Sequence, residues 1–480
     1  MLPVLSGFSI ALIPSLRLRQ HAFLNLILAL NAVSVLALVL PKDIHLEIFR
    51  ITERLPIIIK VDGPARFFCS LSSLMLLLVG IYSPAYMSHE AGPARFNMFY
   101  LIVLGLLNGL GLSGNLMTLY LFFELMTLFS VPLVLHSMEN VAIAAAFKYL
   151  YYSIAGASLA LISFFFYYAY GTTLEFTPGG VLDVTKLAGR EGQILAVSLL
   201  AIIGLSAKAG MFPLHAWLPA AHTAAPAPAS AVLSGVITKA GVFAVFRFVF
   251  YIAGPDFLRG TWVQTTWISL SLFTVIMGAV LAFKEPQLKR LLAYSTISQL
   301  GYILFGLATL TTAGIKGALL HIVFHSIAKD ALFLIAGLII IKTNKINVSD
   351  LRGIGMKIPV TICCFAVLAV TIIGIPPTSG FVSKWYLATG SLASDTGFIA
   401  WFGPAILLLA ALLSAGYMLP IAINAFFPGA GYESEYTRGS NEKNLLMILP
   451  IVLLTLAALA FGIIPGPLLS FFDGIIKVIY

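Results

Sequence analysis

Apolar residues run along this chain in long stretches, separated by short polar intervals. The runs fall near 2–15, 21–40, 67–84, 96–113, 115–136, 141–170, 193–216, 229–252, 263–283, 291–310, 314–342, 358–389, 400–427 and 445–464. A helix needs about 20 mostly apolar residues to cross the hydrocarbon layer. No water reaches the backbone there, so each run must satisfy its own N–H and C=O groups as a helix. The pattern predicts an all-α membrane protein of about 14 transmembrane helices. The N-terminal stretch MLPVLSGFSIALIPSLRLRQ has no basic start and no A-x-A cleavage site. It reads as a first span, not as a removable leader. One polar interval is different: within 41–66, LEIFRITERLPIIIKVD is expected to form a small extended element at the surface.

Composition agrees with a lipid solvent. The chain has 480 residues, 60% hydrophobic and 10% charged, with mean hydropathy +1.00. Soluble domains carry about 25% charged residues. The formal charge of +9 matters through its distribution over the loops. One set of loops holds Arg17, Arg19, Arg95, Lys284, Lys289, Arg290, Lys342, Lys345, Arg352, Lys357, Arg438 and Lys443. The other set is sparse, except for 41–66 with Lys42, Arg50, Arg54, Lys60 and Arg66, balanced by Asp43, Glu47, Glu53 and Asp62. The positive-inside rule puts the first set in the cytoplasm and both termini outside a plasma membrane. Cys69, Cys363 and Cys364 lie in apolar stretches and read as small buried hydrophobes. The sequence offers no phosphate-binding loop, dinucleotide fingerprint or CxxC cluster. It therefore shows no means of hydrolysing ATP or carrying electrons, and no nucleic-acid partner is expected.

Two runs contain strong helix breakers. AIIGLSAKAGMFPLHAWLP holds Gly210, Pro213 and Pro219, and VTIIGIPPTSGFVSKWYL holds Gly374, Pro376, Pro377 and Gly380. Proline removes a backbone donor and clashes with the preceding turn. Non-helical backbone at membrane depth survives only where protein buries it or water lines it. Broken helices at corresponding places of two halves point to a transporter with inverted repeats. The two breaks lie five spans apart, an odd offset that reverses orientation. Lys208 precedes its break and Lys384 follows its own, as an inverted pair would have it.

Charges inside the runs carry the chemistry. A lysine or acid at the bilayer centre costs at least about 2.5–3.5 kcal/mol. Glu124 in NLMTLYLFFELMTLFSVPLVL and Lys239 in SAVLSGVITKAGVFAVFRFVF lie roughly 14–15 Å into their spans. Lys208 is expected to meet carbonyls freed by the break and to pair with Glu124. His321, His325 and Lys329 recur at i, i+4 and i+8, along one helical face. Histidine titrates near neutral pH and can pass protons either way. No HExxH glutamate lies between the two histidines, so no metal is expected. Asp330 adjoins Lys329 but points elsewhere, as a structural counter-ion. Lys384 is the expected exit site. Lys148, His215 and His222 are auxiliary candidates. Arg247, nearer the far end of its span, is expected to snorkel to the surface. A fixed ion pair or a satisfied core residue is the plain alternative for each group. The order Glu, Lys, Lys, His/His/Lys, Lys argues instead for a titratable row that conducts protons. No nucleophile–base constellation is visible, so the chain is read as a non-catalytic subunit.

The stretch AKAGMFPLHAWLPAAHTAAPAPASAVLSGVITKAGVFAVFR resembles the central signature of the antiporter-like subunits of respiratory complex I. Mrp-type Na⁺/H⁺ antiporters and membrane-bound hydrogenases share that signature. LFFELM, KRLLAYSTISQLGYILFG, HIVFHSIAKDALFLIAG and GIPPTSGFVSKWYL look like further family motifs, in family order, from about residue 60 to 465. The resemblance implies two inverted five-helix repeats, 96–252 and 261–427, after helices 1–3 in 1–95 and before helix 14 and a tail in 428–480. It implies a glutamate–lysine pair at Glu124 and Lys208, and a connecting lysine at Lys239. It further implies a histidine-containing helix with His321, His325 and Lys329, and a terminal lysine at Lys384. Where the family often reads LPDAH, this chain has Leu218, Pro219, Ala220, Ala221 and His222. The chain ends soon after GIIPGPLLSFFDG, without the long lateral helix of one complex I subunit, and TKAGVFAVFR looks closest to the Mrp D-type subunit. The implied function is a proton- or Na⁺/H⁺-translocating subunit of a redox-driven complex, with other membrane subunits as partners. This chain itself would bind no cofactor; Fe–S or Ni–Fe centres would sit in its partners. A stand-alone Mrp antiporter subunit and a transport-inactive scaffold are the alternatives.

Overall fold

A computed structural model describes the chain apart from residues 1, 14, 17, 18, 53, 54, 430–441 and 443. Arg17, Glu53, Arg54, Arg438 and Lys443 of the loop assignment thus lie outside the described residues. The apolar runs are helices: α1 (Leu2–Leu12), α2 (Gln20–Val39), α3 (Gly63–Met87), α4 (Pro93–Gly111), α5 (Leu116–Val134) and α6 (Asn140–Tyr170) come first. Then follow α7 (Glu191–Ser206), α8 (Trp217–Ala224), α9 (Ala227–Ala253), α10 (Trp262–Lys284), α11 (Leu288–Ala308) and α12 (Thr312–Thr343). The last are α13 (Pro359–Ile373), α14 (Ser379–Leu392), α15 (Phe398–Phe426), α16 (Leu445–Ile463) and α17 (Gly466–Ile479). Among the described residues, 11 helices are long and apolar enough to cross a membrane. The apolar α1, α7 and α13 are shorter.

Local chemistry sets the helix starts. Asp62 accepts from Ala65 N–H at 3.0 Å ahead of α3, with Pro64 in the first turn. Asn115 accepts from Thr118 N–H at 2.7 Å, and Thr311 from Gly314 N–H at 3.1 Å. Each cap satisfies one of the donors that a helix start leaves without an intrahelical partner.

The helices form nested layers. The most apolar window of α9 is 100% buried and that of α12 is 89% buried, against 28% for α2 and 33% for α16. A helix apolar all round and fully buried belongs at the centre, so α9, α11 and α12 form the core and α2 and α16 face lipid.

The extended element is an antiparallel hairpin of β1 (His45–Thr52) and β2 (Leu55–Lys60). It does not hang free. Lys60 N–H donates to Leu112 O at 2.7 Å, and Gly114 N–H to Ile58 O at 2.9 Å. The segment after α6 joins in: Phe176 N–H donates to Gly114 O at 3.0 Å, and Val181 N–H to Ile252 O at 2.9 Å. Hairpin, α4–α5 turn, 171–183 segment and the end of α9 thus build one end of the bundle. Residues after the last predicted span, expected as a tail, form the amphipathic α17. It buries Phe472, Ile475, Ile476 and Ile479 and is tied down at this same end by Lys316–Asp473 and by Arg259 donating to Tyr480 Oη at 3.2 Å. The opposite end gathers Arg95, Lys289, Lys342, Arg352 and Lys357, whose side chains or neighbours bond across its loops.

Among the described residues four spans depart from simple helices, the first being α2, whose last turn, Val35–Val39, is a π turn. The run at 193–216 stops as a helix at Ser206 and resumes as α8. The run at 358–389 is α13 and α14, separated at Gly374 (φ 90°). The run at 229–252 is continuous but contains two π turns, Leu233–Ile237 and Val249–Ala253.

Candidate ion-translocation site

Lys208 lies two residues beyond the end of α7, where the chain leaves the helix. It is 1% exposed. The carbonyls of the break were its expected partners, but they are used otherwise: Trp217 Nε1 donates to Ala207 O at 2.9 Å. Lys208 Nζ instead donates to three hydroxyls, Thr127 on α5 and Tyr149 (3.3 Å) and Ser153 (3.1 Å) on α6. It also lies 4.8 Å from the centre of the Tyr149 ring. Glu124, one turn before Thr127 on α5, is half-buried, and its Oε1 has no partner. The two residues make no direct ion pair, but each lies within the other's electrostatic field. Their pairing is therefore through space, with the hydroxyl cradle between lysine and bulk protein.

Lys239 sits on α9 just after the first π turn, and the turn explains its seat. Thr238 N–H donates to Leu233 O, five residues back. The Ser234 carbonyl, which an α-helix would have used, is left free of that bond. It accepts instead from Thr238 Oγ1 at 2.9 Å and from Lys239 Nζ. Such π turns are often found at functional sites.

The predicted trio on α12 holds as one face. The His321 and His325 rings stack 6.0 Å apart, with planes 18° from parallel. His321 bridges Ser383 Oγ on α14 (2.8 Å) and Gln299 Oε1 on α11 (2.9 Å). His325 is 1% exposed, and neither ring nitrogen has a partner. Lys329 Nζ donates to Leu292 O at 3.0 Å and to Ser295 Oγ, both on α11. Asp330 does point away from Lys329, as expected, toward α9.

Lys384, half-buried on α14, reaches back across the second break. Its Nζ donates to Ile372 O at 2.7 Å and Ile373 O at 2.8 Å, the last carbonyls of α13. Of the auxiliary candidates, Lys148 and His215 line a cavity of about 590 Å³ together with Gln287, Arg290 and Tyr294, at the basic end. His222 is fully buried, stacked on Phe333 with ring centres 4.6 Å apart, and both its nitrogens lack partners. It is not part of that cavity's lining. No cluster of three or more metal-ligating side chains occurs among the described residues.

Arg247 overturns its expectation. It does not snorkel. Its side chain is 0% exposed and makes a two-pronged ion pair with Asp62, at 2.6 and 2.7 Å. Phe176, Phe243 and Tyr251 surround the guanidinium, with ring centres 4.9–5.3 Å away. Burial pushes the Asp62 carboxyl up, but the Arg247 guanidinium, the Ala65 N–H and the Lys60 charge together outweigh this and hold it below the ordinary carboxylate value. The pair lies beside a cavity of about 750 Å³ under the hairpin and α17. The sequence signal was the same as for a snorkelling arginine. Asp62, 185 positions away, could not be matched to it by spacing.

The arrangement is therefore a row of amines and imidazoles in a largely buried interior, all but His325 bonded to neutral acceptors and hydroxyls. Residues 113–414 match the family model described as "NADH:quinone oxidoreductase/Mrp antiporter, TM". This chain belongs to that family. NADH-quinone oxidoreductase subunit N of Desulforudis audaxviator is 33% identical over 407 residues, 82% of this chain and 79% of the relative. The D-type component of the Na(+)/H(+) antiporter of Bacillus subtilis is 30% identical over 412 residues, 85% of this chain and 80% of the relative. In fold, the antiporter-like subunit superposes on a chain of the membrane-bound sulfane sulfur reductase, an archaeal respiratory membrane complex. The TM-score is 0.85 at 21% identity, covering 100% of this chain and 96% of that one. It is a multi-pass membrane protein of the antiporter-like class, whose homologues sit among other membrane subunits.

Proposed function

We propose that this subunit moves protons, or exchanges them for Na⁺, within a redox-driven respiratory complex. The carrying observation is the buried row Lys208, Lys239, His325, His321 and Lys329, continued by the half-buried Lys384. Amines and imidazoles at this depth are costly. A stability role alone would be served as well by apolar side chains of similar volume. Relatives from a quinone reductase and from a Na⁺/H⁺ antiporter support the substrate class.

In this reading the chain has 14 spans, with inverted five-helix repeats at 96–252 and 261–427. The two broken helices, five spans apart with lysines on opposite sides of their breaks, support it. Both termini are extracytoplasmic, because the basic loops gather at the other end. Protons enter from the basic end, by the cavity of Lys148 and His215. They load Lys239 and the histidine face of α12 and leave near Lys384. A shift of Glu124 relative to Lys208 changes how firmly that lysine holds its proton, and this gates transfer. The chain binds no cofactor of its own; Fe–S or Ni–Fe centres belong to partner subunits.

The test is gentle purification of the native complex, identification of its subunits by mass spectrometry, and proton transport by Lys208→Ala. Iron–sulfur or hydrogenase-like partners with a transport-dead variant support the redox-driven reading. Small hydrophobic Mrp-type partners alone would make it a stand-alone antiporter subunit, as the Bacillus subtilis relative suggests. Unchanged transport in Lys208→Ala would overturn both.

A further inference from the structure

One buried charge stands outside the row. Asp330 is 0% exposed, and neither carboxyl oxygen has a hydrogen-bond partner. A carboxyl group without partners in a protein interior is unusual enough to require a reason. It lies on α12, and it rests on the π turn of α9 at Gly235. A Cβ built on Gly235 would overlap Asp330 Oδ1 and lie 2.6 Å from Oδ2. The close approach depends on glycine at that position. Ser326, one turn earlier on α12, holds the two helices in this register by donating to Gly235 O at 2.6 Å.

Lys239 seats on the same bulge. Its ammonium is on Ser234 O, and the carboxyl of Asp330 is on the Cα of Gly235. Ser234 C=O and Gly235 Cα belong to one planar peptide unit. The two groups thus sit against a single peptide unit, without a direct ion pair. Lys239 is the charged group whose field reaches Asp330, and the field of Asp330 in turn reaches Tyr100 on α4. The adjacent Lys329 is turned away to α11, where Leu292 O and Ser295 Oγ hold it.

We propose that Asp330 is a proton-carrying residue that exchanges its proton with Lys239. The step is balanced: once the amine reaches the acid, the Nζ–H bond of the ammonium breaks, an O–H bond forms on the carboxylate, and two opposite charges become a neutral amine and a neutral acid. Both products are uncharged, which suits a dry interior. The flexible four-carbon stem lets Lys239 leave Ser234 O and reach the carboxyl. This gives the centre of the subunit its own acid–amine couple, with the amine on α9 and the acid on α12, so that transfer there joins the two halves. The proposal rests on the translocation reading above.

The experiment uses proteoliposomes holding the native complex, with proton movement driven by an imposed membrane potential or Na⁺ gradient and read with a pH-sensitive dye. Lys239→Ala is the control for the translocation reading, and wild-type flux in it overturns that reading and this proposal together. With Lys239→Ala inactive, Asp330→Asn is expected to slow flux at least tenfold, and Asp330→Glu to keep more than half. Infrared difference spectra on driving the complex should show a carboxylic-acid C=O band that Asp330→Asn removes. Wild-type flux in Asp330→Asn, or no such band, overturns the proposal alone. If Asp330→Asn does not assemble, Gly235→Ala decides: it keeps the acid but displaces it from the bulge. Flux reduced several-fold in an assembled complex supports the couple, and unchanged flux overturns it.

Discussion

The two broken helices look like mirror copies in sequence, each with a glycine, prolines and a lysine, yet they are bonded differently. At the first break the loose backbone is satisfied by neutral groups. The Trp217 indole takes Ala207 O at 2.9 Å, and Thr274 Oγ1 accepts from Phe212 N–H at 3.0 Å. Lys208 is left to the hydroxyls of α5 and α6, within the field of Glu124. At the second break the lysine itself does the stitching, because Lys384 holds the final carbonyls of α13. One lysine is thus held in a cradle of hydroxyls, and the other also closes a helix end. Similar local sequence can leave the bonding of a helix break to different side chains.

This contrast can be broken by substitution. The largest effect is expected for Lys384→Ala, which strips Ile372 O and Ile373 O of their donor. Hydrogen bonds to charged groups contribute about 1.5–3 kcal/mol each, so a loss of about 3 kcal/mol in thermal unfolding in detergent is expected along with loss of transport. Lys208→Ala should reduce transport at least tenfold, about 1.4 kcal/mol of barrier, while its unfolding temperature stays near that of the wild type. Its hydroxyl partners keep other bonds, such as Thr127 to Phe123 O at 3.0 Å and Tyr149 with Ser130 at 2.7 Å. Equal destabilisation by the two lysine variants would erase the distinction. Trp217→Phe leaves Ala207 O without its indole donor and should cost about 1–2 kcal/mol of stability. The smallest effect is expected for Gly374→Ala. At φ 90° a Cβ is strained, and it would meet Lys384 Cδ at 2.7 Å. A loss of about 1 kcal/mol, with transport slowed only in proportion to the lysine's displacement, would show that the turn and the lysine act as one unit.

Much of this was legible in sequence because lipid simplifies the code. Runs of apolar residues gave the helices, and Pro213 and the Pro376–Pro377 pair gave the breaks. The stretch LEIFRITERLPIIIKVD read as an extended element, and it is the hairpin. His321, His325 and Lys329 could be placed on one face because i, i+4 spacing is a property of a single helix. What could not be read depends on partners far apart in the chain. Thr127, Tyr149 and Ser153 are ordinary polar residues of apolar spans, and only packing brings them round Lys208. Arg247 was misread because an arginine near a span's end is the same string whether it reaches water or finds Asp62. The two π turns of α9 leave no mark in composition at all.

Those turns carry a further consequence. Each fits one more residue than an α-helix would into the same length, and one residue is about 100° of rotation. Between them lies a rigid cassette, Thr238–Phe248, that carries both Lys239 and Arg247. The bearing of these two charges round the helix axis is therefore indexed by residue count and not by residue type. Removing any single residue from 233–237 would restore ordinary helical bonding and swing the cassette by about 100° relative to the Ala227–Val232 segment. A one-residue insertion or deletion here re-aims an amine and a guanidinium together, whereas the same change in a loop re-aims neither.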